Sequence, residues 1–119
     1  MISIELPYLP PAEFSRNSRA HWTQLHRAKD RVYDDIHVAL LEAGFRKEYI
    51  YYRAHVTLTF YLPDQRQRDA DNMITRSKPV LDGLVRAELL ADDNLKTIGS
   101  PIYQFEYRKR RPGTLIRVE

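Results

Sequence analysis

Hydrophobic and polar residues alternate along three short stretches of the chain, at residues 2–6, 56–62 and 103–107. Successive side chains of a strand point to opposite faces, so this alternation predicts strands with one buried face. A fourth apolar run at 115–118 follows a Pro-Gly pair. The last two runs therefore predict a β-hairpin with a basic turn.

Two longer stretches place apolar residues at helical spacing. In the first, Thr23 is a suitable N-cap and Gly44 a suitable residue after the last turn, which predicts an amphipathic helix of about twenty residues. In the second, Pro79 is compatible with the first turn of a helix but not with its interior. We therefore expect this helix to begin near Ser77, after an irregular or helical turn, rather than at Asp71.

These elements predict an α+β fold in the order β-α-β-α-β-β, with a small mixed sheet packed by two helices. The 119 residues suit one hydrophobic core, so we assign residues 1–119 to a single domain. Hydrophobic residues make up 43% of the chain and charged residues 29%, which is typical of a globular protein.

The amino-acid composition argues against several classes of protein and favours a protein that binds a polyanion. Cysteine is absent, which excludes disulfides, thiolate zinc sites and cysteine nucleophiles. No apolar run approaches the roughly 20 residues of a membrane span, and the N-terminus lacks the pattern of a signal peptide. We expect a cytoplasmic protein without a membrane partner. The net charge of +3 favours a polyanionic partner.

Two basic segments are candidates for contact with that polyanion, one between residues 15 and 31 and one at 108–111. Clustered cations of this kind suit phosphate groups, although they are also found on solvated surfaces. Trp22 in the first segment could stack on a base, but we expect it to pack inward instead. The cations that we predict to bind phosphate are Arg16, Arg19, Arg27, Arg108, Lys109 and Arg110.

Three acidic residues are candidates for metal binding. Asp69 and Asp71 follow the 56–62 strand at positions i and i+2, so in extended backbone their side chains point the same way. Such closeness of like charges requires a cation, either a divalent metal or a basic side chain. Asp93, which follows the second helix, could complete an all-oxygen site of the kind that suits Mg²⁺. On these residues alone, helix capping or a solvated loop is the more common role.

The order of several short motifs resembles the RusA-type Holliday junction resolvases, which are small metal-dependent endodeoxyribonucleases of bacteria and their prophages. The resemblance spans residues 62–98. The motifs that carry it are Arg68-Asp69-Ala70-Asp71-Asn72, then Lys78-Pro79-Val80-Leu81-Asp82-Gly83-Leu84, then Asp92-Asp93.

This resemblance implies roles for individual residues. It implies that Asp69, Asp71 and Asp93 bind Mg²⁺ and that Lys78 is catalytic, while Arg68 resembles a contact to DNA or to the active site. About three extra residues precede Lys78, which within a helix would turn it by about 60° and move it by about 4.5 Å. Arg76 is the cation that could replace it or bind DNA.

The predicted function is Mg²⁺-dependent hydrolysis of paired phosphodiesters in a four-way DNA junction, a reaction of DNA recombination and repair. Because such a junction has two-fold symmetry, the resemblance to dimeric resolvases also implies a homodimer. Two alternatives remain. One is a non-catalytic DNA-binding module whose acids cap a helix, and the other is a Mg²⁺-dependent nuclease of flapped or otherwise branched DNA.

Overall fold

The computed structural model describes residues 1–119, apart from the side chain of Lys47. The described chain forms an α+β domain, and the predicted order of strands and long helices is confirmed. Its elements are β1 (Ile2–Leu6), α1 (Trp22–Glu42), β2 (Val56–Leu62), α2 (Ala70–Arg76), α3 (Lys78–Arg86), α4 (Leu95–Ile98), β3 (Ile102–Tyr107) and β4 (Gly113–Val118). Two short 3-10 helices, Ala12–Phe14 and Lys47–Tyr49, lie in the connections.

The four strands form one mixed sheet in the order β1-β4-β2-β3. Strand β4 is antiparallel to both β1 and β2, and β3 is parallel to β2. The mixed sheet was predicted correctly. The predicted hairpin was wrong, because β2 lies between β3 and β4 and these two strands do not pair.

The connection at 108–112 explains how β4 reaches the other side of β2. The backbone N–H of Arg108 donates to the carbonyl of Leu62 at 2.9 Å, and that of Arg110 donates to the carbonyl of Pro63 at 3.0 Å. These bonds carry the chain across the end of β2. Four of the six residues of β4 are buried, so an interior position satisfies its apolar pattern better than an edge does.

Helices α1 and α3 pack on the same face of the sheet. The predicted apolar stripe of α1 is buried at Ala28, Val32, Ile36 and Leu40. At the helix crossing, a Cβ on Gly83 would lie only 2.7 Å from Cδ1 of Ile36, so the absence of a side chain permits the close approach. The core combines this interface with the inward side chains of β1, β2 and β4.

The start of α1 differs from the prediction. The N-cap is His21, whose Nδ1 accepts a hydrogen bond from the Thr23 N–H at 3.3 Å, while the Gln24 side chain accepts from the His21 N–H at 3.0 Å. This is a capping box with histidine in the place usually taken by serine or threonine. The end of α1 was predicted correctly, since Gly44 has a φ of +82°.

The region before Lys78 folds as two helices instead of one. Asp69, and not Asp71, caps α2 by accepting a hydrogen bond from the Asp71 N–H at 3.1 Å. Ser77 then separates α2 from α3, and Pro79 lies in the first turn of α3. The expected start near Ser77 with a helical turn before it is thereby confirmed. Among the helices that the structure describes, none has the length and apolar character needed to cross a membrane.

Candidate functional site

The amine of Lys78 joins two carboxylates, one from the same helix and one from 15 residues further along the chain. Its Nζ lies 2.7 Å from Oδ2 of Asp93 and 3.0 Å from Oδ1 of Asp82. Asp82 is one helical turn away on α3, at the i+4 spacing that brings side chains together. Asp93 comes from the loop before α4, where its own N–H donates to Oδ1 of Asp92 at 2.7 Å. The motifs at 78–84 and 92–93 therefore meet in space.

Both groups of the Lys78–Asp93 pair are held in their charged forms. Hydrogen bonding to Asp93, and then to Asp82, raises the pKa of the Lys78 amine. The hydrogen bond from Lys78 lowers the pKa of the Asp93 carboxyl. Lys78 thus remains protonated at neutral pH, and its chemistry is that of a cation and hydrogen-bond donor, not that of a base.

Asp69 is the N-cap of α2 and Asp71 lies in its first turn, and both are exposed. The Asp69 carboxylate caps the helix, as described above. Asp71 takes part in local hydrogen bonds through its backbone, since its N–H donates to Asp69 and its carbonyl accepts from the Thr75 hydroxyl at 3.0 Å. In the described structure, therefore, Asp69 has the capping role that we considered as an alternative, while the Asp71 carboxylate projects into solvent.

These acids do not form a ready metal site in the single chain. Among the described residues, no group of three or more histidine, aspartate or glutamate side chains is placed to hold a metal ion. The oxygen donors of Asp69, Asp71 and Asp93 suit Mg²⁺ by their chemistry, but the structure does not gather them around one point. Lys78 provides the positive charge beside Asp93. The three-carboxylate set stays a prediction.

Five of the predicted DNA-contacting residues are exposed, namely Arg16, Arg19, Arg27, Lys109 and Arg110. The first basic segment is fixed against α2, because the backbone N–H of Arg16 donates to Oδ1 of Asn72 at 2.9 Å. Asn72 directly follows Asp71 in the chain. The structure therefore places exposed cations and the two acids of α2 in the same region of the surface.

The other three predicted DNA contacts are bonded within the chain. Arg68 forms an ion pair with Asp64 at 2.9 Å, and only 12% of its side chain is exposed. Arg76 donates from Nε and Nη2 to the carbonyl of Pro10, at 2.9 and 2.5 Å. Arg68 thus pairs within the loop between β2 and α2, whereas Arg76 connects α2 to the loop that contains Pro10, and the contact of both with DNA stays a prediction.

Arg108 is the third of these internally bonded cations. Its guanidinium pairs with Glu5 at 2.8 Å and lies 3.8 Å from the ring centroid of Tyr61. It therefore connects the loop after β3 to the outer face of the sheet. Arg76 was also considered a replacement for Lys78, but Lys78 itself reaches Asp93, while Arg76 binds the chain before α1.

Trp22 is the clearest departure from the sequence prediction. It is 64% exposed, so the expectation that it packs inward was wrong. Its ring contacts two histidine rings, with centroid distances of 5.6 Å to His21 and 5.9 Å to His26.

Comparison with known proteins identifies a relative of this chain. No family model matches the chain. An uncharacterized protein of Xylella fastidiosa (strain Temecula1 / ATCC 700964) is 31% identical over 110 residues, which cover 91% of this chain and 70% of that protein. The chain belongs to the family of that Xylella protein. The matched region covers most of the fold described above, and the relative has no assigned activity.

Sequence reasoning overlooked two features of the site. Asp82 was read only as part of a motif, although its i+4 spacing from Lys78 indicates an ion pair. An apolar concavity borders the Lys78–Asp93 pair, and its walls come from α3, α4 and β3. The apolar residues that line it are Leu81, Leu95, Ile98, Pro101 and Tyr103. These three elements follow one another along the chain, but periodicity within each of them does not show that their apolar side chains share one concavity.

Proposed function

We propose that this chain is a Mg²⁺-dependent endodeoxyribonuclease similar to the RusA-type resolvases, which cuts four-way DNA junctions by paired phosphodiester hydrolysis. The observation that carries the proposal is the contact between Lys78 and Asp93. The two residues are 15 positions apart, in separate motifs of the resemblance, and their side chains meet at 2.7 Å. The extra residues before Lys78 leave this contact intact because α2 ends at Arg76 and α3 begins anew.

Lys78 has the properties of a group that stabilises a transition state. It is protonated, 59% of its side chain is exposed, and the carboxylates of Asp82 and Asp93 fix its amine from two sides. A cation already in place costs little reorganisation when negative charge develops on a phosphate. In the proposed reaction, Lys78 stabilises that charge or the leaving 3′ oxygen.

The residues that would hold the metal are Asp69, Asp71 and Asp93. When bound, Mg²⁺ supplies positive charge at the phosphate and activates the attacking water. The described structure does not gather these carboxylates, so holding Mg²⁺ with all three would require a different arrangement of their side chains. The exposed Asp71 carboxylate can change rotamer without breaking a hydrogen bond of its own side chain.

The proposed DNA contacts come from the exposed cations. Arg16 and Arg19 lie in the segment that is fixed to α2 through Asn72, so they would hold the DNA backbone beside the acids. Lys109 and Arg110 lie in the loop after β3. Contacts of this kind go to phosphate groups and favour the shape of a junction over its sequence.

A homodimer is part of this proposal, and β3 is its proposed interface. This strand pairs only with β2 in the described sheet, and five of its six residues are exposed. The apolar side chains of Ile102, Phe105 and Tyr107 are among them. An open strand edge with apolar side chains is a ready template for pairing with another chain. Two copies related by a two-fold axis would match the symmetry of a junction.

The capping role of Asp69 favours a second candidate, a DNA-binding module without catalysis. Synthetic DNA substrates distinguish the two candidates. A mobile four-way junction, a flap, a duplex and a single strand are each incubated with the wild type and with Asp71→Asn. Each incubation is done with and without Mg²⁺. Because the Asp71 side chain makes no described hydrogen bond, this substitution should leave the fold unchanged.

The nuclease proposal expects symmetric cuts in the junction, made only by the wild type and only with Mg²⁺. Preference for the flap would instead identify another branched-DNA nuclease. Binding of the junction without any cleavage, at equal affinity for the wild type and Asp71→Asn, would favour the binding module.

A further inference from the structure

Trp22 lies on the inward-facing stripe of α1 but beyond the end of the core. Residues 22, 26, 29, 33, 36 and 40 follow the alternating spacing of four and three that defines one helix face. Ile36 and Leu40 on this face are fully covered, whereas Trp22 and His26 are exposed. On this face of α1, Trp22 and His26 are therefore left uncovered, while Ala28 in the same part of the helix is buried.

The rings at this end of the helix are held in place before any partner binds. The His21 ring is fixed by the cap, since its Nδ1 contacts the Thr23 hydroxyl at 2.9 Å as well as the Thr23 N–H. Trp22 is tilted by 38° against His21 and meets His26 edge-on at 80°. Such contacts restrict the indole, so little side-chain entropy remains to be lost on binding.

The charge around Trp22 selects the kind of partner. Residues 15–29 contain four arginine or lysine residues and no aspartate or glutamate. Among the described side chains, no carboxylate forms an ion pair with Arg16, Arg19 or Arg27. An exposed indole in a basic segment that contains no acidic residue suits a ligand that has both a flat apolar face and a negative charge, which describes a nucleotide.

The same helix face leads to the Lys78 cluster. Tyr33 lies on this stripe and touches α3 at Gly83, and the charges of Asp82 and Lys78 act on its hydroxyl. Eleven residues separate Trp22 from Tyr33, a rise of about 16 Å along a helix. This corresponds to about five phosphates of one duplex strand at 3.4 Å each. A single DNA arm can therefore span both places.

We propose that Trp22, supported by the rings of His21 and His26, is a stacking platform for a DNA base that is not paired within a duplex. This inference rests on the proposed function, because it names how that site would engage the opened bases of branched DNA.

Intrinsic fluorescence tests the platform directly, because Trp22 is the single tryptophan of the chain. The protein is titrated with a single-stranded oligonucleotide and, separately, with heparin, a polyanion without bases. A base stacked on the indole should quench its emission, whereas heparin at saturation should not. Trp22→Ala should bind the single strand about ten-fold more weakly, within the range for one lost base stack, and should bind heparin like the wild type. Trp22→Phe should retain most of the affinity.

Tyr52→Ala is the matched control, since Tyr52 is another exposed aromatic residue outside the basic segment. It should leave both affinities unchanged. Equal affinity of Trp22→Ala and the wild type for the single strand would overturn the platform, and so would equal quenching by heparin. Either result would leave the nuclease proposal standing, because cleavage of the junction by the wild type is measured separately. A wild type that binds no DNA would overturn both proposals.

Discussion

Lys78 shares one positive charge between two carboxylates at the surface of the protein. Ion pairs at such exposure contribute about 0 to 1 kcal/mol to stability, so stability alone gives little reason for the arrangement. Its geometry instead keeps a protonated amine at a fixed place beside Asp93. Under the proposed function, this fixed amine is the part of the cluster that would act on the phosphate.

The lowered pKa of Asp93 makes its contribution to stability depend on pH. A carboxyl whose pKa is lower in the folded state than in the unfolded state stabilises the fold when the pH is above its unfolded-state pKa, about 3.9. This contribution is lost as the pH falls through the folded-state pKa. Asp93→Asn should lower the free energy of unfolding by up to about 1 kcal/mol at pH 7. Urea unfolding between pH 2 and 7 should show this difference shrinking below about pH 4. A difference that is independent of pH would contradict the assignment.

Arg76 and Arg19 should separate structural cations from DNA-binding cations. Arg76→Ala leaves the Pro10 carbonyl without its donors and should cost about 1 to 3 kcal/mol of stability, with little change in DNA affinity. Arg19→Ala should leave stability within about 0.5 kcal/mol, weaken DNA binding and reduce its salt dependence by about one phosphate contact. Urea unfolding and binding titrations at several salt concentrations measure both effects. The opposite pattern would show that Arg76 faces the DNA.

At the level of elements, periodicity predicted the type and place of the main helices and strands, because burial of one face imposes it. Pro79 likewise predicted the break before α3. The false hairpin has a physical cause, since a turn sequence shows where a chain reverses but not which strand it then pairs with. The wrong expectation for Trp22 has a different cause. Periodicity shows which face of a helix is apolar, but it does not show how far along the helix the neighbouring elements cover that face.

The open edge of β3 should mediate self-association. Ile102→Glu places a charge on the open edge strand at an exposed apolar residue and should convert a dimer to a monomer in sedimentation velocity. Val38→Glu is the control, because Val38 is an exposed apolar residue on α1, away from the sheet edge. It should leave the dimer intact. Monomers in both the wild type and Ile102→Glu would exclude the β3 interface.

At the scale of the whole molecule, the sequence could predict the members of the candidate site but not their distances. The motifs at 68–72, 78–84 and 92–93 belong to three separate segments, and only tertiary packing decides which of them meet. Packing brings Lys78 to Asp93 and leaves Asp69 as a helix cap. No spacing in the sequence distinguishes an acid that contacts Lys78 from an acid that caps a helix, because Asp69 and Asp93 each follow a regular element.

The most direct test of the central claim compares two neighbouring carboxylates. Asp93 contacts Lys78, whereas Asp92 accepts hydrogen bonds from the Asp93 N–H and the Asn94 side chain. The rate of cleavage of a mobile four-way junction is measured with Mg²⁺ for the wild type, Asp93→Asn and Asp92→Asn. The account predicts that Asp93→Asn loses at least about a hundred-fold in rate, as for removal of one charge-stabilising group, while Asp92→Asn remains close to the wild type. Equal rates for Asp93→Asn and the wild type, or no cleavage by any of the three proteins, would contradict it.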